Sequence, residues 1–242
     1  MIVRVLVDRI CEDPVVALVG TRRLLAAARS LPEGDRILRI YHPTPTVAFG
    51  SRDTRSPGYA SAVASSRRWG FAAVNRMVGG RAAAYHQHSL VMEIAGGARD
   101  PHTGSRARFV DHAEVMVRTL GEFGVDARIG ELAGEYCPGE FSVNARGKRK
   151  LVGAAQRIVP GAWLLSAVVQ VGDRESLLRV TSDVYDDLAL PWQPETLGVI
   201  EDEAPGTTVD EVASAILGSY REGDGVSASV DWVDLPDADA VA

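Results

Sequence analysis

The sequence predicts an α/β domain of the α+β kind, in which a mixed or antiparallel sheet is flanked by helices. Three observations carry that prediction. Short apolar or alternating runs bounded by Gly and Pro recur through the first 170 positions, as half-buried strands do. Segments of helical period at 15–28 and 109–123, and one of helix-compatible composition at 59–69, stand between them. The chain has 242 residues, 46% apolar and 24% charged, the composition of a soluble globule long enough for one sizeable core.

In chain order, residues 3–7 form a short strand. Residues 15–28 form an amphipathic helix whose faces are marked by Leu18, Arg22, Leu25 and Arg29. Pro32, Glu33 and Gly34 make a turn, after which residues 36–41 alternate polar and apolar until Pro43 and Pro45 break the strand. A strand at 46–49 ends at Gly50, Pro57 and Gly58 open the helix at 59–69, and residues 71–75 return to an extended pattern. Residues 89–95 are a buried strand and 96–104 a loop. The helix at 109–123 carries Val110, Ala113, Val117 and Leu120 on one stripe and closes at Gly124. Short strands at 125–129 and 141–145 precede a basic hairpin tip at 146–149, a returning strand at 150–158 and a long apolar strand at 163–171. Asp173 caps a short helix through Val180, and residues 183–190 make a separate helical turn. Thr208 and Glu211 have the capping-box spacing before a last helix at 212–217. Residues 1–222 are expected to form a single domain and the acidic stretch 223–242 to fray.

Composition excludes several function classes. A net charge of -6 argues against a nucleic-acid surface, which needs a clustered positive field. No apolar run is long enough to span a membrane and no signal-like segment opens the chain, so a cytoplasmic protein is expected. Cys11 and Cys137 are neither a disulfide framework nor a metal site by themselves, and His86 with His88 lacks the further ligands a metal needs; no metal is expected.

Two stretches carry chemistry. The first runs from Glu135 to Gln156 and contains Cys137, in a Tyr-Cys-Pro-Gly turn, and the two lysines of the protein, Lys148 and Lys150. The other 24 of the 26 basic residues are arginines, so Lys is kept where a compact, tunable point charge serves and a planar fork does not. Cys137 has Pro, Gly and Glu as neighbours, which favours an accessible thiol over the buried inert thiol that free cysteine often is. Cys11, beside Glu12 and Asp13, has no such context. For Lys148, Arg146 and Arg149 a solvated loop is the favoured reading. The second stretch, residues 76–86, carries Gly79 and Gly80 between Arg76 and Arg81 and ends at His86. Paired glycines bring bare N–H groups close to a ligand with the arginines as anion contacts, although taken alone they are a plain turn between strands.

In order and spacing these stretches resemble the biotin/lipoate A/B protein ligase superfamily, in its lipoate-attachment branch. Arg76 to His86 is similar to the family's Arg, Gly-Gly and His turn. Lys150, followed by Leu151, Val152, Gly153, Ala154, Ala155 and Gln156, matches the family's lysine, and Lys148 does not. The resemblance spans about residues 38–170. It implies the superfamily's catalytic-domain fold, with Arg76, Gly79, Gly80, Arg81, His86, Gly153 and Ala154 as substrate-binding residues. Tyr136-Cys137-Pro138-Gly139 is similar to the cysteine turn of lipoyl amidotransferases, and Gly79-Gly80-Arg81-Ala82 to thiol-dependent octanoyltransferases. The ligases differ at Met77, where they carry a second Arg, and at Gln87-His88-Ser89-Leu90, where they carry Asp-x-Gly-Asn. The length also leaves no room for the accessory domain many of them have.

The resemblance implies an acyltransferase that moves an octanoyl or lipoyl group through a Cys137 thioester onto a lysine of a lipoyl-carrier domain. The glycine cleavage H protein and a dehydrogenase acyltransferase subunit are such carriers. Thioester exchange needs a lowered thiol pKa; Lys150 would either supply the charge for it or hold the acyl oxygen, and His86 is a candidate proton shuttle. Val78, Ala83, Val152 and Ala154 are expected to line a tunnel for the chain. The transferase needs no cofactor. The alternative is an ATP- and Mg-dependent lipoate-protein ligase working through a lipoyl-adenylate, in which Lys150 is essential and Cys137 dispensable. A further alternative is a non-catalytic relative that binds an acylated carrier, or one subunit of a split ligase.

Overall fold

The structure is a computed structural model that describes residues 3–224 and 226–229. Its main sheet has eight strands: β1 (Val3–Glu12), β2 (Arg36–Pro43), β6 (Ser89–Gly97), β7 (Ala127–Ile129), β8 (Val143–Ala145), β9 (Arg149–Val159), β10 (Ala162–Gln170) and β11 (Val226–Ser229). They lie in the order β11-β1-β2-β6-β10-β9-β8-β7. β1 pairs in parallel with both β2 and β11, and every other pairing in this sheet is antiparallel, so the sheet is mixed as expected. A second sheet of three strands, β3 (Thr46–Phe49), β4 (Ala72–Asn75) and β5 (Ala83–Tyr85), is ordered β4-β3-β5.

Side-chain alternation along β2, β6 and β10 decides what each face of the main sheet packs against. One face presents Leu38, Ile40, Leu90, Met92, Ile94, Leu165, Ala167 and Val169. It is covered by α3 (Ser105–Glu122) through Ala113, Met116 and Leu120, and by α5 (Val209–Asp224) through Val212, Ala213 and Ile216. The opposite face meets α1 (Pro14–Ala28), which buries Leu24, Leu25 and Ala28 against Ile37, Ala95 and Leu164. Asp13 caps α1 by accepting a 2.8 Å hydrogen bond from the Val15 N–H, and Pro14 occupies the first turn, where no N–H is needed. The small sheet packs against α2 (Tyr59–Arg68) and α4 (Arg174–Asp187) in a separate core that includes Val47, Phe49, Ala62, Leu177 and Val184.

Most expected elements form, with ends shifted by a few residues. The two pieces expected after Asp173 are a single helix, because Leu177, Val180, Thr181, Val184 and Tyr185 make one uninterrupted buried stripe. Asp173 does cap it, accepting from the Ser176 N–H at 3.3 Å. Thr208 and Glu211 form the reciprocal capping box. Helix α5 continues to Asp224 and β11 joins the sheet, so the fold runs past position 222; residues 230–242 of the expected fraying tail lie outside the described residues. No helix of the described residues is long and apolar enough to cross a membrane.

Met116 has no exposed surface and lies between α3 and the sheet, on the face away from the small sheet. Met116→Ala is expected to cost about 2–5 kcal/mol in denaturant-induced unfolding. The pH profile of Cys137 alkylation is expected to stay unchanged.

Candidate active site

Between β7 and β8 the chain folds into a loop built around one buried carboxylate. Glu135 is 2% exposed; its Oε1 accepts from the Gly139 N–H at 2.9 Å and the Ser142 hydroxyl at 2.6 Å, and its Oε2 from the Leu132 N–H at 3.2 Å. Lys150, on β9, reaches under this loop. Its Nζ donates to Glu135 Oε1 at 3.0 Å, to the Tyr136 carbonyl at 3.1 Å and to the Cys137 carbonyl at 2.8 Å, and it lies 4.9 Å from the centroid of the Tyr136 ring. All three ammonium hydrogens are thereby engaged. The Cys turn and the lysine therefore meet, as the sequence requires of any thioester relay. Lys150 holds the turn itself, so its charge acts on the thiol through space rather than through a donor aimed at an acyl oxygen.

Cys137 is half-buried and adopts a left-handed backbone, with φ 42°. Its N–H donates to the Tyr185 hydroxyl at 2.7 Å, and that hydroxyl donates to the Ala82 carbonyl at 3.0 Å, so α4 ties the cysteine turn to the small sheet. The sulfur faces the second motif: Arg76 Nη2 and the Arg81 N–H each lie 3.3 Å from Sγ. Burial is the largest influence on the thiol and opposes ionisation. The charges of Arg76 and Lys150 and the hydrogen bonds from Arg76 and the Arg81 N–H together outweigh it, leaving the pKa below that of an ordinary cysteine. Arg76 Nε is buried with no hydrogen-bond partner among the described residues, which leaves one N–H uncommitted beside the sulfur.

The glycines of the second motif are required by close approach. A Cβ at Gly80, whose φ is 100°, would stand 2.3 Å from Arg76 Nη2 and 2.8 Å from Cys137 Sγ; one at Gly50 would stand 2.0 Å from the Gly80 carbonyl oxygen. Asp53, fully buried, accepts from the Gly50 N–H at 2.9 Å and from Arg81 Nη1 at 3.1 Å. The Arg81 side chain thus points away from the thiol, and its backbone does the work at the sulfur.

A cavity of about 400 Å³ opens beside these groups, within the usual range for small-molecule sites. It lies between the main sheet on one side and α1 with the small sheet on the other. Arg76, Gly79, Gly80, Cys137, Lys150, Gly153 and Ala154 line it, which brings seven of the nine expected site residues to one place. Val78 and Ala83 line it as expected; Val152 does not, because it faces the opposite side of the sheet and packs in the main core.

His86 is also away from the cavity. It is 1% exposed, its Nε2 lies 3.2 Å from the Asp173 carbonyl oxygen, and its Nδ1 accepts from the His88 N–H at 3.1 Å. Burial holds its imidazole below the ordinary value. With both ring nitrogens occupied it joins the β5–β6 turn to the start of α4, and the expected proton shuttle is corrected to a structural tie. Lys148 is exposed, while Arg146 and Arg149 form ion pairs with Glu203 and Asp202, so the hairpin tip is a solvated surface. Glu135, Asp53 and Tyr185 were not legible as site residues. Glu135 opens the stretch that runs to Gln156, but nothing in its neighbours marks it as buried. Among the described residues no group of three or more His, Cys, Asp and Glu side chains forms a metal site.

A family model described as the lipoyl protein ligase A/B catalytic domain matches residues 13–220. The chain belongs to this family. Three curated relatives of this lipoyl ligase-family chain are named octanoyl-[GcvH]:protein N-octanoyltransferase. The Geobacillus kaustophilus protein is 27% identical over 57% of this chain and 48% of its own length, and the Exiguobacterium protein 28% identical over 72% and 65%. The Bacillus velezensis protein is 26% identical over 87% of this chain and 74% of its own. The chain thus spans about half to three quarters of the relatives it matches. Among solved structures, lipoate-protein ligase A bound with ATP superposes with a TM-score of 0.73 at 23% identity, over 96% of this chain and 89% of that one. A bi-partite lipoate protein ligase system from Thermoplasma acidophilum gives 0.66 at 23% identity, over 96% and 87%. These two establish the fold shared with the family.

Two outcomes are expected from the site. The rate of Cys137 alkylation by iodoacetamide, followed against pH, reflects a thiolate that persists below the ordinary cysteine range. Arg76→Met moves the profile to higher pH, because it removes the charge that favours the ionised sulfur. Lys150→Met leaves the Glu135 carboxylate buried and uncompensated and is expected to cost about 3–5 kcal/mol in chemical denaturation. Pairing it with Glu135→Gln recovers part of that loss.

Proposed function

We propose that this chain is a cytoplasmic acyltransferase that moves an octanoyl or lipoyl group onto a lysine of a lipoyl-carrier domain through a thioester on Cys137. The observation that carries the reading is a thiol of lowered pKa at the edge of a partly apolar cavity, held 3.3 Å from both the Arg76 guanidinium and the Arg81 N–H. The names of the curated relatives support octanoyl as the group and a GcvH-type carrier as the partner. A dehydrogenase acyltransferase subunit carries the same kind of lysine and fits as an acceptor.

In the first step the Cys137 thiolate attacks the acyl carbonyl carbon of the donor. If the donor is an acylated carrier, the C–N bond to its lysine breaks, the amine leaves with the equivalent of the proton that the thiol released to solvent on ionising, and a C–S bond remains. In the second step the amine of the acceptor lysine attacks the thioester, loses a proton and expels the thiolate. Negative charge that develops on the acyl oxygen is met by donors already in place: the Arg81 N–H, and the Arg76 guanidinium with its uncommitted Nε–H. Gly79 and Gly80 let that oxygen approach the backbone, and Gly153, which presents no side chain to the cavity face of the sheet, leaves room for the chain.

The ATP-dependent alternative finds less support. Among the described residues, the basic side chains lining the cavity are Arg52, Arg76 and Lys150. Lys150 is engaged by Glu135 and two carbonyls, and Arg76 Nη2 by Cys137 and the Arg81 carbonyl, which leaves Arg52 and the Arg76 Nε–H for a triphosphate; the residues fit ATP poorly. This supports transfer without a cofactor.

Intact mass spectrometry after incubation with octanoyl-carrier protein tests the reading. Wild-type protein should gain one octanoyl mass that hydroxylamine removes, and Cys137→Ala should gain none. A wild-type protein that stays unmodified while releasing AMP from ATP and free lipoate would establish the ligase reading instead. A protein that binds a lipoyl domain and turns over no donor would be the non-catalytic relative.

A further inference from the structure

The cavity described above contains a second buried cluster that the proposed chemistry does not use. Arg39 is fully buried, Glu93 is 2% exposed and Thr21 is 6% exposed. Arg39 Nη1 donates to Glu93 Oε2 and to the Ala17 carbonyl, each at 3.1 Å, and the Thr21 hydroxyl lies 2.6 Å from Glu93 Oε1. Thr21 and Glu93 line the same cavity as Cys137. Core packing does not require such a pair, since replacing a buried ion pair by apolar residues of similar volume is often neutral or stabilising. The apolar walls around it, Leu18, Tyr41, Val91 and Val168, make the charged cluster the chemical exception in that part of the cavity.

Strand register places the cluster relative to Gly153, which lies against the Lys150 side chain that holds the cysteine turn. Arg39, Glu93, Ser166 and Ala155 form one row across β2, β6, β10 and β9. The next row on the same face is Tyr41, Val91, Val168 and Gly153, and a Cβ on Gly153 would touch the Lys150 side chain at 3.0 Å. From Gly153 to Glu93 is therefore two strand spacings across and one alternate-residue step along, about 12 Å. An extended octanoyl chain has seven C–C bonds and spans roughly 9 Å from carbonyl carbon to terminal methyl.

We infer that the Thr21–Glu93–Arg39 cluster is the end wall of the acyl slot and limits it to chains of medium length. The inference rests on the acyl-transfer reading given above. A chain that ends before the wall keeps its methylenes against Tyr41, Val91 and Val168. A longer one presses apolar carbon on a carboxylate and a hydroxyl that already hold their partners, so the added carbons gain no transfer out of water and disturb a buried charge. Each methylene denied apolar burial forgoes about fourfold in affinity.

The test compares acyl-enzyme formation from octanoyl, decanoyl and dodecanoyl donors in wild-type protein, in Thr21→Val and in the double variant Arg39→Met/Glu93→Leu. Wild-type protein should load octanoyl at least about tenfold faster than dodecanoyl. The double variant should bring that ratio near one, and Thr21→Val should lower it by about threefold. Equal wild-type rates for all three donors overturn the inference, as does a folded double variant that keeps the wild-type ratio. If the double variant does not fold, Thr21→Val decides by the same criterion. Binding of free hexanoate through tetradecanoate, measured by calorimetry on the same proteins, reads the length limit without the thiol. A sharp cutoff there with no acyl-enzyme from any donor would sink the thioester reading and leave the end wall standing.

Discussion

The buried contact between Lys150 and the Glu135 loop is the constraint on which the site depends. A carboxylate and an ammonium at 2% exposure are costly to bury, and they persist because nearly every polar atom around them is paired. Glu135 gathers the N–H groups of Leu132 and Gly139 and the Ser142 hydroxyl, and Lys150 joins that cluster to β9 and grips the carbonyls of Tyr136 and Cys137. A loop that would otherwise sample many conformations is held in one. In it the cysteine adopts a positive φ and turns its sulfur toward the small sheet.

The small sheet supplies the other half. Asp53 holds both Gly50 and the Arg81 side chain; a Cβ on Gly50 would strike the Gly80 carbonyl, and one on Gly80 would strike Arg76 and Cys137. That pinning aims the Arg81 N–H at the sulfur. Arg76, at the end of β4, completes the arrangement by bonding both the Arg81 carbonyl and Sγ. Two elements from opposite sides of the cavity thus converge on one atom, each rigid for its own reason. The thiol is shifted toward ionisation against the effect of its own burial.

Legibility in the sequence followed the range of the interactions involved. Helix α3, with Ala113 and Leu120 on one stripe and Gly124 after its end, is a local pattern that its own residues specify. The continuity of α4 was not legible, because Leu177 and Tyr185 belong to one stripe only when the small sheet is there to receive them. Cys137 and Lys150 stood out by residue type and neighbours. His86 could be read either way from the sequence, since imidazole serves hydrogen bonding as readily as proton transfer, and in the fold both its ring nitrogens have partners. Arg81 acts through its backbone, which no side-chain pattern reports.

By itself the sequence determined the α/β class, the order of most elements, and the pair of motifs that carry the thiol and the lysine. Those depend on periodicity, breakers and residue type, which are properties of neighbours along the chain. Tertiary structure alone decided that Glu135 rather than an acyl oxygen receives the Lys150 ammonium, and that Val152 belongs to the core while Gly153 lines the cavity. It also decided that Thr21, Arg39 and Glu93, drawn from a helix and two strands, meet in one buried cluster. These outcomes depend on strand register and on the loss of water around charges, and both exist only once distant segments have packed together.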